Sequence, residues 1–256
     1  MDKVCRKLIE LRRINKSYGS LKVLEDVSLS LLEGEIVSIF GPSGCGKTTI
    51  LNIIAGIISP DNGRVRVAKG ERIGYVFQEP RLIPWKNVEE NILFVQENYS
   101  LTEKSAREIR EKLIDQAEMK DFAHCFPSEL SGGMKQRVSL LRALSIVPHI
   151  LLLDEPFKSM DSKTVSVMEK IMLQIRKKEH PGILLVTHNY QEALRLSNRI
   201  YVLSHRPARI IEERPIPALE STNSFLLESS DVNILPNRNE RKIFNYQQRR
   251  VQGIGI

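Results

Sequence analysis

One stretch near the start of the printed sequence limits the fold more than any other. Residues 36–40, Ile-Val-Ser-Ile-Phe, are apolar and β-prone, which predicts a buried parallel strand. They lead into Gly41-Pro-Ser-Gly-Cys-Gly-Lys-Thr48, which fits the spacing G-x-x-x-x-G-K-[ST]. A helix pattern follows at once, with apolar side chains at Ile50, Ile53, Ile54 and Ile57. Strand, glycine loop and helix in this order predict a phosphate-binding loop.

The glycine loop predicts a site for the phosphates of a nucleotide. Glycines let the backbone curl so that N–H groups converge on one anion, and the helix N-terminus adds positive charge. Lys47 is expected to reach the β- and γ-phosphates, and the Thr48 hydroxyl to ligate Mg²⁺. Cys45, at the start of the helix, is expected to have a lowered thiol pKa. The predicted nucleotide-binding residues of the loop are Gly41, Pro42, Ser43, Gly44, Cys45, Gly46, Lys47, Thr48 and Thr49.

A second apolar stretch, residues 150–153, ends in the two carboxylates Asp154 and Glu155. In phosphate-loop ATPases such a strand is expected beside the loop strand, and its first acid helps to hold Mg²⁺. We therefore expect Asp154 near the metal and Glu155 as the general base that polarises an attacking water. A strand edge with acids is common by itself, and the upstream loop is what gives this one its meaning.

The run Leu130-Ser131-Gly132-Gly133 predicts a second anion site. Two glycines directly after a helix-capping serine expose backbone N–H groups at a helix start. One phosphate loop in one chain seldom needs two such sites for a single nucleotide. Two copies that face each other would explain the pattern, with each phosphate loop closed by the Ser-Gly-Gly element of the other copy.

Taken together, these motifs resemble the ATP-binding subunit of ABC transporters over about residues 6 to 213. The resemblance implies that Tyr18 stacks on adenine, that Gln78 senses Mg²⁺ and the transmembrane partner, and that His188 is the switch histidine. It also implies a dimer contact at Asp161. The implied catalytic residues are Lys47, Gln78, Glu155 and His188; the metal ligands are Thr48, Gln78 and Asp154; and the contacts to the second copy's ATP are Ser131, Gly132, Gly133 and Gln136.

The implied fold is an α/β P-loop NTPase of the ABC ATPase type. It has a parallel core sheet, an antiparallel β subdomain and a helical subdomain over about residues 88–147. The ATPase domain is expected over residues 1–215. Residues 216–256 are polar and locally basic without clear periodicity, which predicts a tail or small appendage. From the residue patterns alone we also expect an edge strand over 4–14 and a turn over 15–20.

The resemblance implies an ATPase that hydrolyses ATP, with Mg²⁺, to drive transport. The stretch from Phe77 to Trp85 is similar to that of nitrate, sulfonate and taurine importers, which implies a small and anionic solute. No run reaches the roughly 18 apolar residues of a membrane span, and the N-terminus leads into a strand pattern instead of a signal core. The expected partners are a second copy, integral-membrane permease subunits and an extracytoplasmic solute-binding protein. The expected location is the cytoplasmic face of the inner membrane, as a peripheral protein.

The alternative is a non-transport ATPase of the same type that acts on nucleic acid or the ribosome. The net charge is +7, from 38 basic and 31 acidic residues, but no dense basic block dominates, so no nucleic-acid partner is expected. The 52 residues between Gln78 and Ser131 are too few for the coiled-coil insertion of DNA-repair members. A simple phosphate-loop kinase would not need the Ser-Gly-Gly element. Three widely spaced cysteines favour a reducing compartment over a disulfide framework.

Two further features are Lys158, which departs from the family pattern, and the loop over residues 80–85. Lys158 brings bulk and charge to the expected dimer-contact loop, where the family usually has a small residue, and this puts the coupling of two ATP sites in question. The proline-rich loop over residues 80–85 is the expected docking surface for a permease. Its Trp85 is expected either to be exposed for that partner or to be buried in a local cluster.

Overall fold

The computed structural model of the protein describes residues 6–99 and 101–217. The strands are β1 (Lys7–Tyr18), β2 (Leu21–Leu32), β3 (Ile36–Phe40), β4 (Asn62–Val67), β5 (Ile73–Val76), β6 (Ile150–Asp154), β7 (Gly182–Thr187), β8 (Arg199–Leu203) and β9 (Ile210–Pro215). The helices are α1 (Lys47–Ile54), α2 (Val88–Gln96), α3 (Glu103–Gln116), α4 (Gly132–Leu144), α5 (Ser162–Glu179) and α6 (Tyr190–Leu196). The polar tail predicted from residue 216 lies, from residue 218 onward, outside the described residues, so its boundary stays a prediction.

A six-stranded sheet has the order β5-β6-β7-β3-β8-β9. Five of its strands run parallel, and β9 pairs antiparallel with β8. All five residues of β3 are buried, as the continuous apolar run predicts for a central parallel strand. The carboxyl ends of the parallel strands therefore meet at one edge, which is where open α/β sheets bind ligands.

The position of β6 corrects one expectation from the sequence. β6 does not lie beside β3, because β7 stands between them: Ile183 on β7 pairs with Ile36 on one side and with Leu151 on the other. All three strands are parallel, so the carboxyl ends of β3 and β6 still share an edge. The side chain of Asp154, at the end of β6, reaches Thr48 at the start of α1 across that edge.

A smaller antiparallel sheet has the order β2-β1-β4. β1 is therefore its central strand, and the expectation of an edge strand over residues 4–14 is wrong for the described part of that range. The predicted turn is also shorter than expected, because β1 continues to Tyr18 and only Gly19 and Ser20 form the turn. Charged side chains on the solvent face of β1 hid its central place, while Ile9, Leu11 and Ile14 are buried on the other face.

The helix after the glycine loop is shorter than its pattern suggests. Ile50, Ile53 and Ile54 are buried, as predicted. Ile57 lies beyond the end of α1 and is exposed, because the chain turns at Gly56 with a φ of 72°. A glycine in this left-handed conformation is a common helix stop.

The region after residue 88 is helical and contains α2, α3 and α4, and two short 3-10 turns, Lys120–Phe122 and Pro127–Glu129, lie between α3 and α4. On α3, Ala106 and Leu113 are buried. The Ser131 side chain caps α4 as predicted, since its oxygen accepts a hydrogen bond from the Met134 N–H at 3.3 Å. α6 is absent from the sequence-based expectations because seven residues are too few to show a helical period.

Two apolar cores lie on the two faces of the large sheet. Val37 and Ile39 pack into the core shared with the small sheet and α1, and Ile36 packs into the core under α2, α4 and α5. This alternation along β3 fixes the strand from both sides and so fixes the loop that follows it. Within residues 6–99 and 101–217, none of the helices combines the length and the apolar character needed to cross a bilayer.

Candidate nucleotide-binding site

A cleft with a volume of about 530 Å³ opens at the carboxyl ends of β3 and β6. It combines the glycine loop, the acids after β6 and an apolar wall from β2. The lining residues are Tyr18, Leu21, Val23, Ser43, Gly44, Gly46, Lys47, Thr48, Thr49, Gln78, Asp154, Glu155 and Arg206. Most residues that the sequence assigned to a nucleotide and its metal thus meet in one cavity, whereas Leu21, Val23 and Arg206 were not expected there.

The glycine loop takes a conformation that residues with a side chain rarely adopt. Gly44 and Gly46 have φ values of 73° and 124°. A β-carbon on Gly46 would also come within 2.8 Å of Leu24 Cδ2 and 2.9 Å of Val23 Cγ1. The loop therefore packs tightly against β2 just before α1 begins. The first N–H groups of α1 have no partner within the helix and point towards the site of an anion.

Lys47 is the first residue of α1, and it is only 6% exposed. Its ammonium donates to the carbonyl oxygens of Gly41 and Pro42, at 2.8 Å each. A cation held over the loop by two carbonyl oxygens can exchange them for phosphate oxygens, which are stronger, charged acceptors.

Thr48 and Asp154 form the oxygen-rich part of the cleft. The Thr48 hydroxyl donates to Asp154 Oδ2 at 2.7 Å, and Asp154 is only 2% exposed. Burial raises the pKa of Asp154, which the Thr48 hydrogen bond partly opposes. A hydroxyl next to a buried carboxylate is a donor set that suits Mg²⁺, so these residues fit the predicted metal. Gln78, exposed after β5, lines the same cleft.

Glu155 follows the end of β6 and has a positive φ of 48°. Its Oε1 lies 3.1 Å from His188 Nδ1, and its Oε2 lies 3.8 Å from Lys158 Nζ. The hydrogen bond to His188 is the largest cause of a lowered Glu155 pKa, and the same bond raises the pKa of His188. The site therefore keeps the Glu155 carboxylate ionised and ties it to the predicted switch histidine.

The backbone around His188 is fixed by buried neighbours. Thr187, the last residue of β7, donates to Glu192 Oε2 at 2.6 Å and accepts from the Asn189 N–H at 3.0 Å. Burial raises the pKa of Glu192. These contacts link the end of β7 to the start of α6, so that His188 is presented from a defined turn.

Tyr18 ends β1 at the far wall of the cleft and is 49% exposed. The ammonium of Lys16 lies 5.5 Å from the centre of its ring. Its open ring face and the apolar Leu21 and Val23 beside it suit a flat aromatic ligand such as a nucleotide base.

The Ser-Gly-Gly element does not line this cleft. Ser131 and Gly132 are exposed, and Gly133 packs closely on the backbone of Ser159. Gln136 is only 2% exposed, on the buried side of α4. The conformation described therefore gives no support to a contact between Gln136 and the nucleotide of a second copy, because its side chain is covered by its own chain.

Two other predicted residues have roles within the chain itself. Asp161, predicted as a dimer contact, is the N-cap of α5: its carboxylate accepts from the Thr164 N–H at 3.0 Å and from the Thr164 hydroxyl at 2.7 Å. The expected lowered pKa of Cys45 is not found. Burial raises the pKa of this thiol more than the nearby Lys47 lowers it.

These features define the class of phosphate-loop nucleotide hydrolases: a glycine loop before a helix, the Thr48–Asp154 pair, and Glu155 directly after β6. Comparison with known proteins then gives the family. The ABC transporter family matches residues 24–158. The aliphatic sulfonates import ATP-binding protein SsuB 2 of Pseudomonas syringae pv. tomato is 43% identical over 209 residues, which cover 81% of this chain and 87% of that protein. An aliphatic sulfonates import ATP-binding protein SsuB of Bacillus cereus is 39% identical over 222 residues, which cover 82% and 87%.

Solved structures give the same result. The dimeric structure of MJ0796, an ABC transporter cassette, superposes with a TM-score of 0.74 at 31% identity and covers 82% of this chain and 99% of that one. A dimeric post-hydrolysis state of the same cassette, bound to ADP and Pi, has a TM-score of 0.73 at the same identity and coverage. The chain belongs to the ABC transporter family.

Family membership confirms the predicted fold class and the predicted function at the level of an ATP-binding, ATP-hydrolysing subunit of an ABC importer. ATP is thereby supported as the nucleotide. The non-transport alternative, on nucleic acid or the ribosome, is not favoured.

Proposed function

We propose that two copies of this chain enclose two ATP molecules and drive a membrane permease that imports a small sulfonate-like anion. The observation that carries the site assignment is the convergence of Lys47, Thr48, Asp154 and Glu155 on one cleft. The solute is proposed from the relatives named for aliphatic sulfonate import. The dimer is proposed from the dimeric cassette structure and from the exposed Ser131, which lies outside the chain's own cleft.

ATP binding is expected to begin at the glycine loop. The triphosphate takes the N–H groups at the start of α1, and the Lys47 ammonium leaves the carbonyl oxygens of Gly41 and Pro42 for phosphate oxygens. Tyr18 stacks on the base. Thr48, Asp154 and Gln78 are the residues that would hold Mg²⁺, which supplies charge neutralisation at the phosphates.

Hydrolysis is assigned to the Glu155 carboxylate. Because its pKa is lowered, the carboxylate is ionised at neutral pH and can accept a hydrogen bond from the attacking water. His188 fixes one oxygen of Glu155 through its Nδ1 and leaves its other ring nitrogen for the γ-phosphate. Ser131 and Gly133 of the second copy would complete the phosphate site from the opposite side and exclude water.

The permease contact is assigned to the loop after Gln78. Trp85 in this loop is 75% exposed, which favours the docking interpretation over a buried local cluster. Arg142 on α4 donates to the carbonyl oxygens of Pro80 at 3.3 Å and Arg81 at 3.0 Å, and so ties the loop to the helix that Ser131 caps. Movement at the permease could thus be passed to the ATP site. We therefore propose that the chain acts at the cytoplasmic face of the membrane, with a solute-binding protein on the other side.

Replacing Glu155 by glutamine tests the hydrolytic site. The glutamine cannot accept a proton, so turnover is expected to fall by roughly 10²–10⁴-fold, while ATP binding is retained and a stable dimer accumulates. Phosphate release measures turnover, and light scattering with ATP measures the dimer. The matched control is Glu111→Gln, an exposed acid on α3 that pairs with Arg107, which should leave turnover unchanged. Normal turnover in Glu155→Gln would remove Glu155 from this role.

A further inference from the structure

A cation that belongs to none of the sequence motifs lines the nucleotide cleft. Arg206 lies in the loop between β8 and β9, far from the glycine loop in sequence. It lines the same cleft as Lys47 and Tyr18. Its Nη2 atom lies 3.9 Å from the place that a β-carbon on Gly44 would occupy. The guanidinium therefore stands directly over the glycine loop.

The loop that carries this arginine is fixed against β2. The Ala208 N–H donates to the Val23 carbonyl at 2.8 Å, and the Ala208 carbonyl accepts from the Glu25 N–H at 3.0 Å. Ser204 closes the loop, because its N–H donates to the Arg209 carbonyl and its hydroxyl oxygen accepts from the Arg209 N–H, both at 3.0 Å. These contacts hold the backbone of the loop in place before the ligand arrives, which lowers the entropy cost of binding.

The neighbouring arginines of this loop differ in their partners. Arg209 pairs with Glu25 on β2 at 2.9 Å. Among the residues that the structure describes, no carboxylate or carbonyl binds the guanidinium of Arg206. An exposed arginine needs no partner in water, so this alone carries little weight. The lack of a partner matters here because the guanidinium of Arg206 faces a cleft whose glycine loop suits an anion.

We propose that Arg206 binds the phosphate chain of ATP in the same chain whose Lys47 binds it. The proposal rests on the proposed function, since it takes the cleft to be the ATP site. Guanidinium groups form charge-assisted and often bidentate hydrogen bonds with phosphate. Lys47 approaches from α1 and Arg206 from the β8–β9 loop. One chain therefore holds the phosphates from two separate elements, before any second copy closes over them.

Binding of the ATP analogue AMP-PNP with Mg²⁺ to the full chain tests this, at concentrations where the copies stay apart. Arg206→Ala is expected to weaken binding about tenfold, or about 1.4 kcal/mol. Arg206→Lys should fall in between, because it keeps the charge and loses the fork of donors. Arg209→Ala is the matched control from the same loop and should bind as the wild type does. Arg206→Ala should also make binding less sensitive to salt, since one ionic contact is lost.

Lys47→Ala separates the inference from the function on which it rests. If Lys47→Ala binds normally while folded by circular dichroism, the proposed ATP site fails, and the inference fails with it. If Lys47→Ala weakens binding and Arg206→Ala does not, the site stands and the inference alone is overturned. An equal loss of adenosine affinity in Arg206→Ala would also overturn it, because that result would place the guanidinium at the base or ribose.

Discussion

The Glu155 carboxylate has a basic side chain next to each of its oxygens. His188 lies 3.1 Å from one and Lys158 lies 3.8 Å from the other. Both lower the pKa of Glu155, with the His188 hydrogen bond as the largest cause and Lys158 as a smaller one. A nearby cation keeps a general base ionised and at the same time makes it a weaker base. Lys158 is the part of this arrangement that departs from the expected small residue.

Replacing Lys158 by alanine should shift the acid side of the pH–rate profile. Lys158 lowers the pKa of Glu155, so its removal raises that pKa towards the ordinary value. The base then becomes protonated at a higher pH, and the fall in ATPase activity on acidification begins at a higher pH. The measurement is kcat/KM for ATP from neutral pH down to about pH 3.5, because the acid limb lies at or below the ordinary glutamate pKa of 4.5.

The charge of residue 158 can be separated from its size. Lys158→Arg keeps the cation and should retain the wild-type acid limb. Lys163→Ala removes a nearby exposed cation that lies 4.0 Å from Glu118 and should also leave the profile unchanged. An acid limb that does not move in a folded Lys158→Ala protein would show that the ion pair has no effect on the base.

At the scale of elements, the start of α4 and the loop after β6 are packed against each other within one chain. The two adjacent glycines there have different surroundings. A β-carbon on Gly133 would stand 2.7 Å from the carbonyl oxygen of Ser159, whereas the described residues leave open space around Gly132. Ser159 is close to Lys158 and Asp161 in the predicted dimer-contact loop. Gly133 therefore links the two elements that are proposed to meet the second copy.

The pair Gly133→Ala and Gly132→Ala tests this packing. In Gly133→Ala the new methyl group must push the Ser159 backbone away, so the free energy of unfolding should fall by roughly 1–3 kcal/mol. In Gly132→Ala the methyl group meets no neighbour, so the change should stay within about 0.5 kcal/mol. Urea unfolding of the isolated chain, followed by circular dichroism, measures both. Equal stability of the two variants would contradict the close contact.

The elements and site residues that the sequence predicted are those whose signal is local. The glycine loop is contiguous, and Asp154 and Glu155 follow directly from an apolar strand, so spacing alone finds them. Arg206 has no local signal, because its place in the cleft depends on how the β8–β9 loop binds β2. Burial also depends on distant parts of the chain. Gln136 lies on the buried side of α4, and burial of Cys45 in the glycine loop raises the pKa of its thiol instead of lowering it.

The insertion of β7 between β3 and β6 shows the same limit for topology. The sequences of β3 and β6 each predict a buried parallel strand. Neither sequence indicates whether the two strands are adjacent in the sheet. The predicted proximity of Thr48 and Asp154 holds although the strand order was wrong, because parallel strands end at the same edge of the sheet. The contact from Thr48 to Asp154 therefore forms across an intervening strand.

At the scale of the whole molecule, the proposed dimer requires that the ATP site of one chain be incomplete by itself. The cleft holds Lys47, while Ser131 lies exposed outside its lining. In a twofold-symmetric dimer each copy would supply Lys47 to one site and Ser131 to the other. Two inactive variants could therefore restore activity in a mixed dimer, which would not happen if each chain held a complete site.

Chains with Lys47→Ala and chains with Ser131→Ala should each be nearly inactive alone and should regain activity when mixed. In a mixed dimer one site carries both changes and the other carries neither. Random pairing makes about half of the dimers mixed, each with one of two sites intact, so about a quarter of wild-type turnover should return. Phosphate release measures this, and size-exclusion chromatography confirms that both variants are folded. A chain with both changes, mixed with an equal amount of Lys47→Ala, is the control, because it leaves no intact site. If folded variants stay inactive after mixing, Lys47 and Ser131 do not meet across two copies.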